Sequence, residues 1–232
     1  MSELITIKTS FLRAIASWAS IDDTRSTMQH VVFRDGEIVA SNGHILCRCK
    51  YDTRGLRFGI ERGVIMAACA AQDALARHWS PMAMAAGVDV EADDQGGTVI
   101  FEGGDSREIR IARDADGKNV SMEIAPNTAI HARGDFDVGK YPPIDQLMMP
   151  PTLGDPPPRG FQPKYLALVE ELVSASGYGS YGVRVEAWSD KLGPVQLICP
   201  NNANADDDHI RMVLMPMKSE EEATKRKRGN AK

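Results

Sequence analysis

The hexapeptide IKTSFL at residues 7–12 carries the pattern that decides the predicted fold. It places one apolar residue, three mostly polar residues and two apolar residues where a short alternating strand gives way to a 3.6-residue period. The same order recurs in IERGVI at residues 60–65 and in FQPKYL at residues 161–166. These starts are separated by 53 and 101 residues, close to one period and two. The sequence therefore predicts a repeated strand–helix–three-strand unit of about 50 residues.

The first repeat can be followed along the chain. A strand over residues 4–8 leads into a helix over residues 11–20, for which Thr9 or Ser10 is the predicted N-cap. Asp35-Gly36 has the residue types of a type I′ hairpin turn. The strands predicted around and after this turn cover residues 29–33, 37–40 and 45–49.

The later repeats follow the same order. Helices are predicted over residues 61–79 and 163–176, and Gly177 is the predicted stop of the second of these helices. Where a further helix is expected near residue 110, residues 119–130 have no helical period and indicate strands instead. The sequence thus predicts three helical repeats rather than four. The accompanying strands are predicted at residues 57–60, 88–92, 98–102, 108–112, 182–188, 194–199 and 210–215.

The composition is typical of soluble globular proteins. The 232 residues are 43% hydrophobic and 25% charged, and the formal net charge is −5. That charge argues against retention on nucleic acid by the overall field, but it leaves a local basic surface open. No apolar run approaches the roughly 20 residues that span a membrane. The N-terminus lacks the basic and apolar regions of a secretion signal, so we expect a cytoplasmic protein.

The sequence contains no pattern that predicts catalysis or metal binding. Cys47 and Cys49 lack a second ligand pair at matching spacing, so reduced thiols are expected rather than a zinc site. His44 has no acidic neighbour in sequence and is interpreted as a turn histidine. Three aspartates at residues 206–208 lie in an Asn/Asp-rich stretch without a second ligand group, which indicates a solvated loop. We therefore expect no enzyme activity, no metal and no cofactor.

The last apolar run, VLMPMK at residues 213–218, lies just before a charged stretch. Its large apolar side chains are poorly placed in water. Pro216 has no N–H, so a strand can pair up to about Met215 and must then lie on an edge or in a groove. Two interpretations stay open: the run is one wall of a cleft, or it is a closing strand that completes a core.

Three segments carry a resemblance to one protein family. ASNGHIL at residues 40–46 resembles the Ala-Thr-Asp-Gly-His-Arg-Leu signature of the bacterial sliding clamp, the beta subunit of DNA polymerase III. GKYP at residues 139–142, with Leu147 and Pro150, is similar to that family's Gly-Arg-Tyr/Phe-Pro-Asp-Tyr stretch. Residues 213–218 resemble its Val-Met-Pro-Met-Arg run. The segments occur in family order, and the resemblance covers about residues 3–218.

The resemblance implies an α+β fold of the DNA-clamp type, with antiparallel sheets outside and helices on the inner face. Residues 1–150 resemble the middle domain of the clamp, and residues 161–218 resemble the C-terminal half of its last domain. Residues 151–160 are interpreted as a Pro-rich linker and residues 219–232 as a disordered charged tail. The chain is thus interpreted as a shortened relative of the family.

The resemblance also implies a groove for short peptide motifs between the middle and last domains. Methionines suit such a surface, because their unbranched thioethers repack easily around different partners. The implied partners are DNA polymerase and other proteins that carry clamp-binding motifs. Asn42 and Ile45 replace the family's Asp and Arg, so one charge partner at the groove rim is lost. The positions that match the groove are Met28, Gly43, His44, Leu46, Pro142, Leu147, Val213, Met215, Pro216 and Met217.

Contact with double-stranded DNA is implied only if a ring forms. Clamp-type rings line their pore with helices that carry basic residues, but the same residues are equally compatible with solvated helix faces. Three helical repeats per chain would close a twelve-repeat ring only as a homo-tetramer. The alternative is a clamp-derived adaptor or decoy that keeps the peptide groove and does not encircle DNA. The candidate DNA-contacting residues are Arg13, Arg25, Arg62, Arg77 and Lys164.

Overall fold

The computed structural model describes residues 4–55, 57–86, 108–113, 119–125, 128–133, 160–177, 182–187, 194–200 and 208–215. They belong to two compact units, one made of Met1–Gly43 and Cys47–Pro142 and the other of His44–Leu46 and Pro143–Lys232. Both units contain α-helix and antiparallel strands, which confirms the predicted α+β class. None of the helices in these ranges is long and apolar enough to cross a membrane.

The first unit contains two successive strand–helix–three-strand repeats. The repeat predicted from residues 7–12 and 60–65 is therefore confirmed in this unit. The first two residues of the strand Ile45–Lys50, with His44, belong to the second unit. The first repeat comprises β1 (Leu4–Lys8), α1 (Thr9–Ala16), β2 (His30–Arg34), β3 (Glu37–Ser41) and β4 (Ile45–Lys50), with a 3-10 segment at Asp23–Gln29. The second comprises β5 (Phe58–Glu61), α2 (Arg62–Ala86), β6 (Glu108–Arg113), β7 (Asn119–Ala125) and β8 (Thr128–Arg133).

The two repeats exchange their leading strands. Strand β1, which leads into α1, pairs with β6, the first described strand after α2. Strand β5, which leads into α2, pairs with β2, the first strand after α1. In both pairings the residue that precedes the helix lies opposite the first residue of the other strand, Lys8 opposite Glu108 and Glu61 opposite His30. The sheet orders are thus β1-β6-β7-β8 and β5-β2-β3-β4, and each is completed by a strand from the other repeat.

Apolar residues of both repeats form the core of the first unit. Phe33 and Phe58 stack across the β2–β5 pair with ring centroids 4.6 Å apart. Helix α1 packs on α2, where the Arg13 guanidinium donates to the carbonyl of Cys69 and to the Asp73 carboxylate. Burial of each large apolar side chain stabilises the fold by about 1.5–3 kcal/mol. The fully buried residues include Ile5, Ile7, Leu12, Ile15, Trp18, Phe33, Ile60 and Ile65.

Both ends of α1 differ from the prediction. The helix begins at Thr9, directly after the extended residue Lys8, and no side chain caps it. The prediction that Thr9 or Ser10 is the N-cap is therefore wrong, because β1 runs straight into the helix. The helix ends at Ala16, since Trp18 donates its N–H to the carbonyl three residues earlier and so tightens the last turn.

The turns and the second repeat agree better with the prediction. Asp35 and Gly36 both have positive φ, 42° and 78°, as a type I′ turn requires. Residues 119–125 and 128–133 pair as antiparallel strands, so the expectation that no helix occurs there is confirmed. Helix α2 extends to Ala86, beyond the predicted end at residue 79. The strands predicted at residues 88–92 and 98–102 lie outside the described residues.

The second unit contains α3 (Pro163–Ser176), β9 (Arg184–Ala187), β10 (Val195–Pro200) and β11 (Asp208–Leu214). The strands lie in the order β11-β10-β9, and the start of β4 lies beside β11. Helix α3 matches its predicted bounds, because Pro163 occupies the first turn and Gly177 adopts the left-handed φ of 80° that ends the helix. The predicted domain limits, the linker at residues 151–160 and the tail at residues 219–232 stay predictions.

Candidate functional site

The clearest candidate surface lies in the second unit, where β11 ends. Met215 follows the last residue of β11, and its N–H donates to the carbonyl of His44 over 2.9 Å. This bond confirms that backbone pairing continues as far as Met215. Pro216, the next residue, has no N–H to extend the pairing. Met215 is 42% exposed, so its flexible thioether side chain is accessible to solvent while its backbone is held by strand pairing.

Two side chains from the start of α3 border this strand end. The rings of His44 and Tyr165 are stacked, with centroids 6.4 Å apart and an interplanar angle of 21°. The ammonium of Lys164 lies 4.9 Å from the centroid of the Tyr165 ring, within the range of a cation–π interaction. We call the set His44, Lys164, Tyr165 and Met215 the strand-end surface. It combines the exposed side chains of Met215, His44 and Lys164 with the Tyr165 ring, which is itself buried and supports the His44 ring.

Two further predicted groove residues, among those described in this unit, lie in its interior. Leu46 and Val213 are both buried. Their buried side chains fix the backbone of the strands next to His44 and Met215. The exposed apolar area is therefore that of the Met215 side chain. The prediction that Leu46 and Val213 form part of an apolar depression together with Leu147 and Met217 stays untested, because the latter two residues lie outside the described ranges, as do Pro142 and Pro216.

The remaining predicted groove residues lie in the loop region of the first unit. Gly43 has a φ of 86°, and the Arg25 guanidinium covers it while donating to the carbonyl of Asn42 over 2.7 Å. The sulfur of Met28 would lie 3.3 Å from a Cβ atom at Gly43. Arg25 also lies 3.8 Å from the carboxylate of Asp22. A hydrogen bond from the Thr24 hydroxyl lowers the pKa of that carboxyl below its usual value.

The candidate DNA-contacting residues lie in different environments. Arg13 is half-buried and paired with Asp73, and Arg25 holds the loop at Asn42. Arg62 begins α2, and its Nε is buried with no hydrogen-bond partner in the described part of the chain. Lys164 is exposed beside Tyr165. Arg77 lies within α2.

The cysteines are all buried and free. Burial raises the pKa of the Cys69 thiol to about 11 and also raises the pKa of the Cys199 thiol, so neither is a ready nucleophile at neutral pH. Within the described ranges, no group of three or more His, Cys, Asp and Glu side chains is arranged to hold a metal ion.

Two roles of the candidate residues, one in each unit, are not predicted by the sequence. Tyr165 was predicted only as a residue of the apolar face of a helix, although it also stacks on His44. Arg25 was predicted only as a DNA contact, although it fixes the loop that precedes His44. An aromatic residue at the start of the third repeat was the available signal for the first feature. Nothing in the spacing of Arg25 and Asn42 signals the second, because they meet only in the folded chain.

Solved structures with the same architecture are bacterial sliding clamps. The DNA polymerase III beta subunit of Borrelia burgdorferi, solved with a natural product, aligns with a TM-score of 0.56 at 13% identity over 93% of this chain and 64% of its own. The sliding clamp of Caulobacter crescentus aligns at 0.55 and 13%, over 94% and 66%. The beta chain of Streptococcus pneumoniae TIGR4 aligns at 0.55 and 14%, over 94% and 66%.

No family model and no curated protein sequence matches the chain. The chain spans slightly less than two thirds of the length of the three clamps. At 13–14% identity their likeness lies in the fold. The antiparallel sheets, the helix of each repeat and the order of these elements follow the clamp architecture. The chain therefore has the α+β DNA-clamp fold of the bacterial DNA polymerase III beta subunits.

Proposed function

We propose that the chain is a cytoplasmic, sliding-clamp-like protein that binds short linear motifs of replication or repair proteins and catalyses no reaction. One observation carries the proposal: Met215 is exposed at a strand end that is hydrogen-bonded to His44 and bordered by Tyr165. An extended peptide can cover the exposed side chains of Met215 and His44, because the backbone beneath them is already fixed. The polymerase of a replication system is the first expected partner.

The expected affinity is modest. Burying two apolar partner side chains, such as a Leu and a Phe, contributes about 1.5–3 kcal/mol each. Ordering the peptide and restricting its motion offset part of this gain. We therefore expect a dissociation constant in the micromolar range, which suits the exchange of several partners. The proposed surface also includes the groove positions that lie outside the described residues, Pro142, Leu147, Pro216 and Met217.

A DNA-encircling role is proposed only for a closed oligomer. In that form Arg25, Arg62, Arg77 and Lys164 would contact phosphates, and the affinity for DNA would fall steeply with salt. The pairing of Arg13 with Asp73 supports a smaller contribution from Arg13. The adaptor or decoy form keeps the peptide surface without a ring, and the net charge of −5 supports it. Retention on closed circular DNA, lost when the DNA is linearised, would assign the encircling form.

Fluorescence-anisotropy titration tests the peptide-binding proposal. A labelled Gln-Leu-x-Leu-Phe peptide is titrated with the wild type, with Met215→Asp and with the control Ile21→Asp, which changes a residue that is 77% exposed in the first unit. We expect saturable binding by the wild type and the control. Met215→Asp should weaken binding at least tenfold, because an apolar contact is replaced by a charge that must be desolvated. Equal affinities of the two aspartate variants, or no binding by a folded wild type, would overturn the proposal.

A further inference from the structure

The sheet of the second unit ends in a strand that has no outer partner among the described residues. Strand β9 pairs with β10, with Val185 opposite Leu197, and it is the last strand in the sheet order. The corresponding strands of the first unit, β2 and β6, both have an outer neighbour, the strand that leads into the helix of the other repeat. The position beside β9 thus corresponds to the positions that β5 and β1 occupy beside β2 and β6 in the first unit.

Exposed apolar side chains mark the same position. Val185 is 65% exposed although Leu197, opposite it on β10, is buried. On helix α3, Leu166 is 47% exposed. The residues at the same place in the other two repeats, Leu12 and Ile65, are fully buried where α1 and α2 pack together. Among the described residues of the second unit, no strand and no second helix cover these two side chains as their counterparts are covered in the first unit.

The leading segment of the third repeat is equally without a strand partner. Residues 160–162 precede α3 as β1 precedes α1 and β5 precedes α2, yet they form no strand. In the first unit a leading strand pairs with the meander of the other repeat rather than with the meander that follows its own helix. By that connectivity, the segment before α3 and strand β9 of one chain are not partners of each other. In two copies of the second unit, however, the segment before α3 of each chain can pair with β9 of the other.

We propose that the second unit forms a two-fold symmetric dimer with a second copy of this chain, in which residues 160–162 of each chain pair with β9 of the other and the two α3 helices pack together. The register follows from the first unit, where Ile7 lies opposite Ile109 and Ile60 opposite Val31. The equivalent pair is Phe161 opposite Val185 of the other copy. Phe161 thus lies opposite the exposed side chain of Val185, and the dimer completes the arrangement that the first unit makes within one chain.

The inference rests on the fold and on the exposure of Val185 and Leu166, and not on peptide binding. It defines an isologous interface, since the same two elements of each chain are used twice around one axis. The assembly must therefore contain an even number of chains. A tetramer would be made of two such dimers.

Cysteine crosslinking tests the register directly. The four native cysteines are buried, so they do not compete with introduced surface thiols in the folded protein. Phe161→Cys and Val185→Cys are purified separately with different tags and then mixed under mild oxidation. We expect a disulfide between the two differently tagged chains, and none when Ile21→Cys replaces Phe161→Cys. If Phe161→Cys/Val185→Cys in one chain closes only within a monomer, or if the mixture gives no crosslink, the proposal is wrong.

The molar mass in solution, measured by light scattering, is a second test of the proposed dimer. The chain has a mass of 25.3 kDa, and we expect the wild type at twice or four times that mass. Leu166→Lys and Val185→Lys should each weaken association at least a hundredfold, because the two-fold axis buries each charge twice. Ile21→Lys should leave the mass unchanged. Peptide binding is measured on the same samples, so a failed dimer and a failed peptide surface are distinguished. A monomeric or trimeric wild type would overturn the proposal.

Discussion

Replacing Gly43 with alanine adds a methyl group to a backbone position that the structure surrounds closely. The φ of Gly43 is 86°, and a residue with a Cβ pays about 1–2 kcal/mol in the left-handed region. The added Cβ would also lie closer than 3.0 Å to Nη1 of Arg25. Because the guanidinium is the end of a flexible chain, it can move away, but it then gives up its 2.7 Å hydrogen bond to the carbonyl of Asn42. Losing a bond to a charged, half-exposed donor costs about 1 kcal/mol.

The unfolding free energy should therefore fall by about 2–3 kcal/mol in Gly43→Ala and by about 1 kcal/mol in Arg25→Ala. The double variant should fall by about 2–3 kcal/mol, less than the sum, because the methyl group then meets no guanidinium and the hydrogen bond is lost only once. Gly55→Ala is the matched control. Gly55 has a φ of 72° and nothing within 4 Å of an added Cβ, so it reports backbone strain alone.

Urea unfolding of the wild type, the three single variants and the two double variants with Arg25→Ala closes the cycle. We expect a coupling of about 1 kcal/mol between Gly43→Ala and Arg25→Ala. Additive effects at that pair would refute the reasoning, as would a loss in Gly43→Ala no larger than the loss in Gly55→Ala. Additive effects are expected between Arg25→Ala and Gly55→Ala.

Further predictions concern buried charges and thiols of the first unit. Glu37 is buried between the guanidinium groups of Arg48 and of Arg34, whose Nη2 lies 2.8 Å from Oε1 of Glu37. Glu37→Ala should therefore lower the unfolding free energy, measured in urea, by about 2 kcal/mol, while Asp52→Ala, at an exposed position, changes it by less than about 0.5 kcal/mol. The pKa of Cys69 is raised from 9.0 to about 11, so the thiol ionises first in the unfolded chain. The contribution of Cys69 to the unfolding free energy should therefore be unaffected below about pH 8 and fall by about 2 kcal/mol as the pH rises from 9 to 11. Cys69→Ala should remove this part of the slope and leave the part due to Cys199. Arg13→Met should destabilise the α1–α2 contact by about 1 kcal/mol and leave the salt dependence of any DNA binding almost unchanged. Lys164→Met should reduce the salt dependence of DNA binding. If only Arg13→Met reduced it, the ion pair between Arg13 and Asp73 would have to open on DNA.

The sequence predicted the elements of this fold where local chemistry decides them. The repeat of apolar spacing located α1, α2 and α3 among the described residues, and Gly177 marked the end of α3 correctly because its left-handed φ closes the helix there. Asp35-Gly36 likewise specifies its turn with two neighbouring residues. The start of α1 was mispredicted, because a strand that runs straight into a helix leaves no N-cap position for Thr9.

The candidate surface was less accessible from the sequence, because long-range pairing builds it. Periodicity placed Met215 at the end of a strand, but only the pairing of β11 with the start of β4 brings it to His44. The exchange of leading strands between repeats also has no local signature, since β1 and β6 lie about 100 residues apart in the chain. For the same reason the sequence does not show that β9 lacks an outer partner among the described residues. This becomes visible only by comparison with β2 and β6, which pair with β5 and β1.

Contact between a motif peptide and Met215 is the central element of the proposed function. Methyl-labelled methionine spectra recorded during a titration with the Gln-Leu-x-Leu-Phe peptide measure that contact, and Met215→Leu assigns the resonance. We predict that the Met215 methyl signal shifts and saturates with the affinity found by anisotropy, while the signal of fully buried Met212 moves far less. Saturable binding that leaves the Met215 signal in place would contradict the proposed surface.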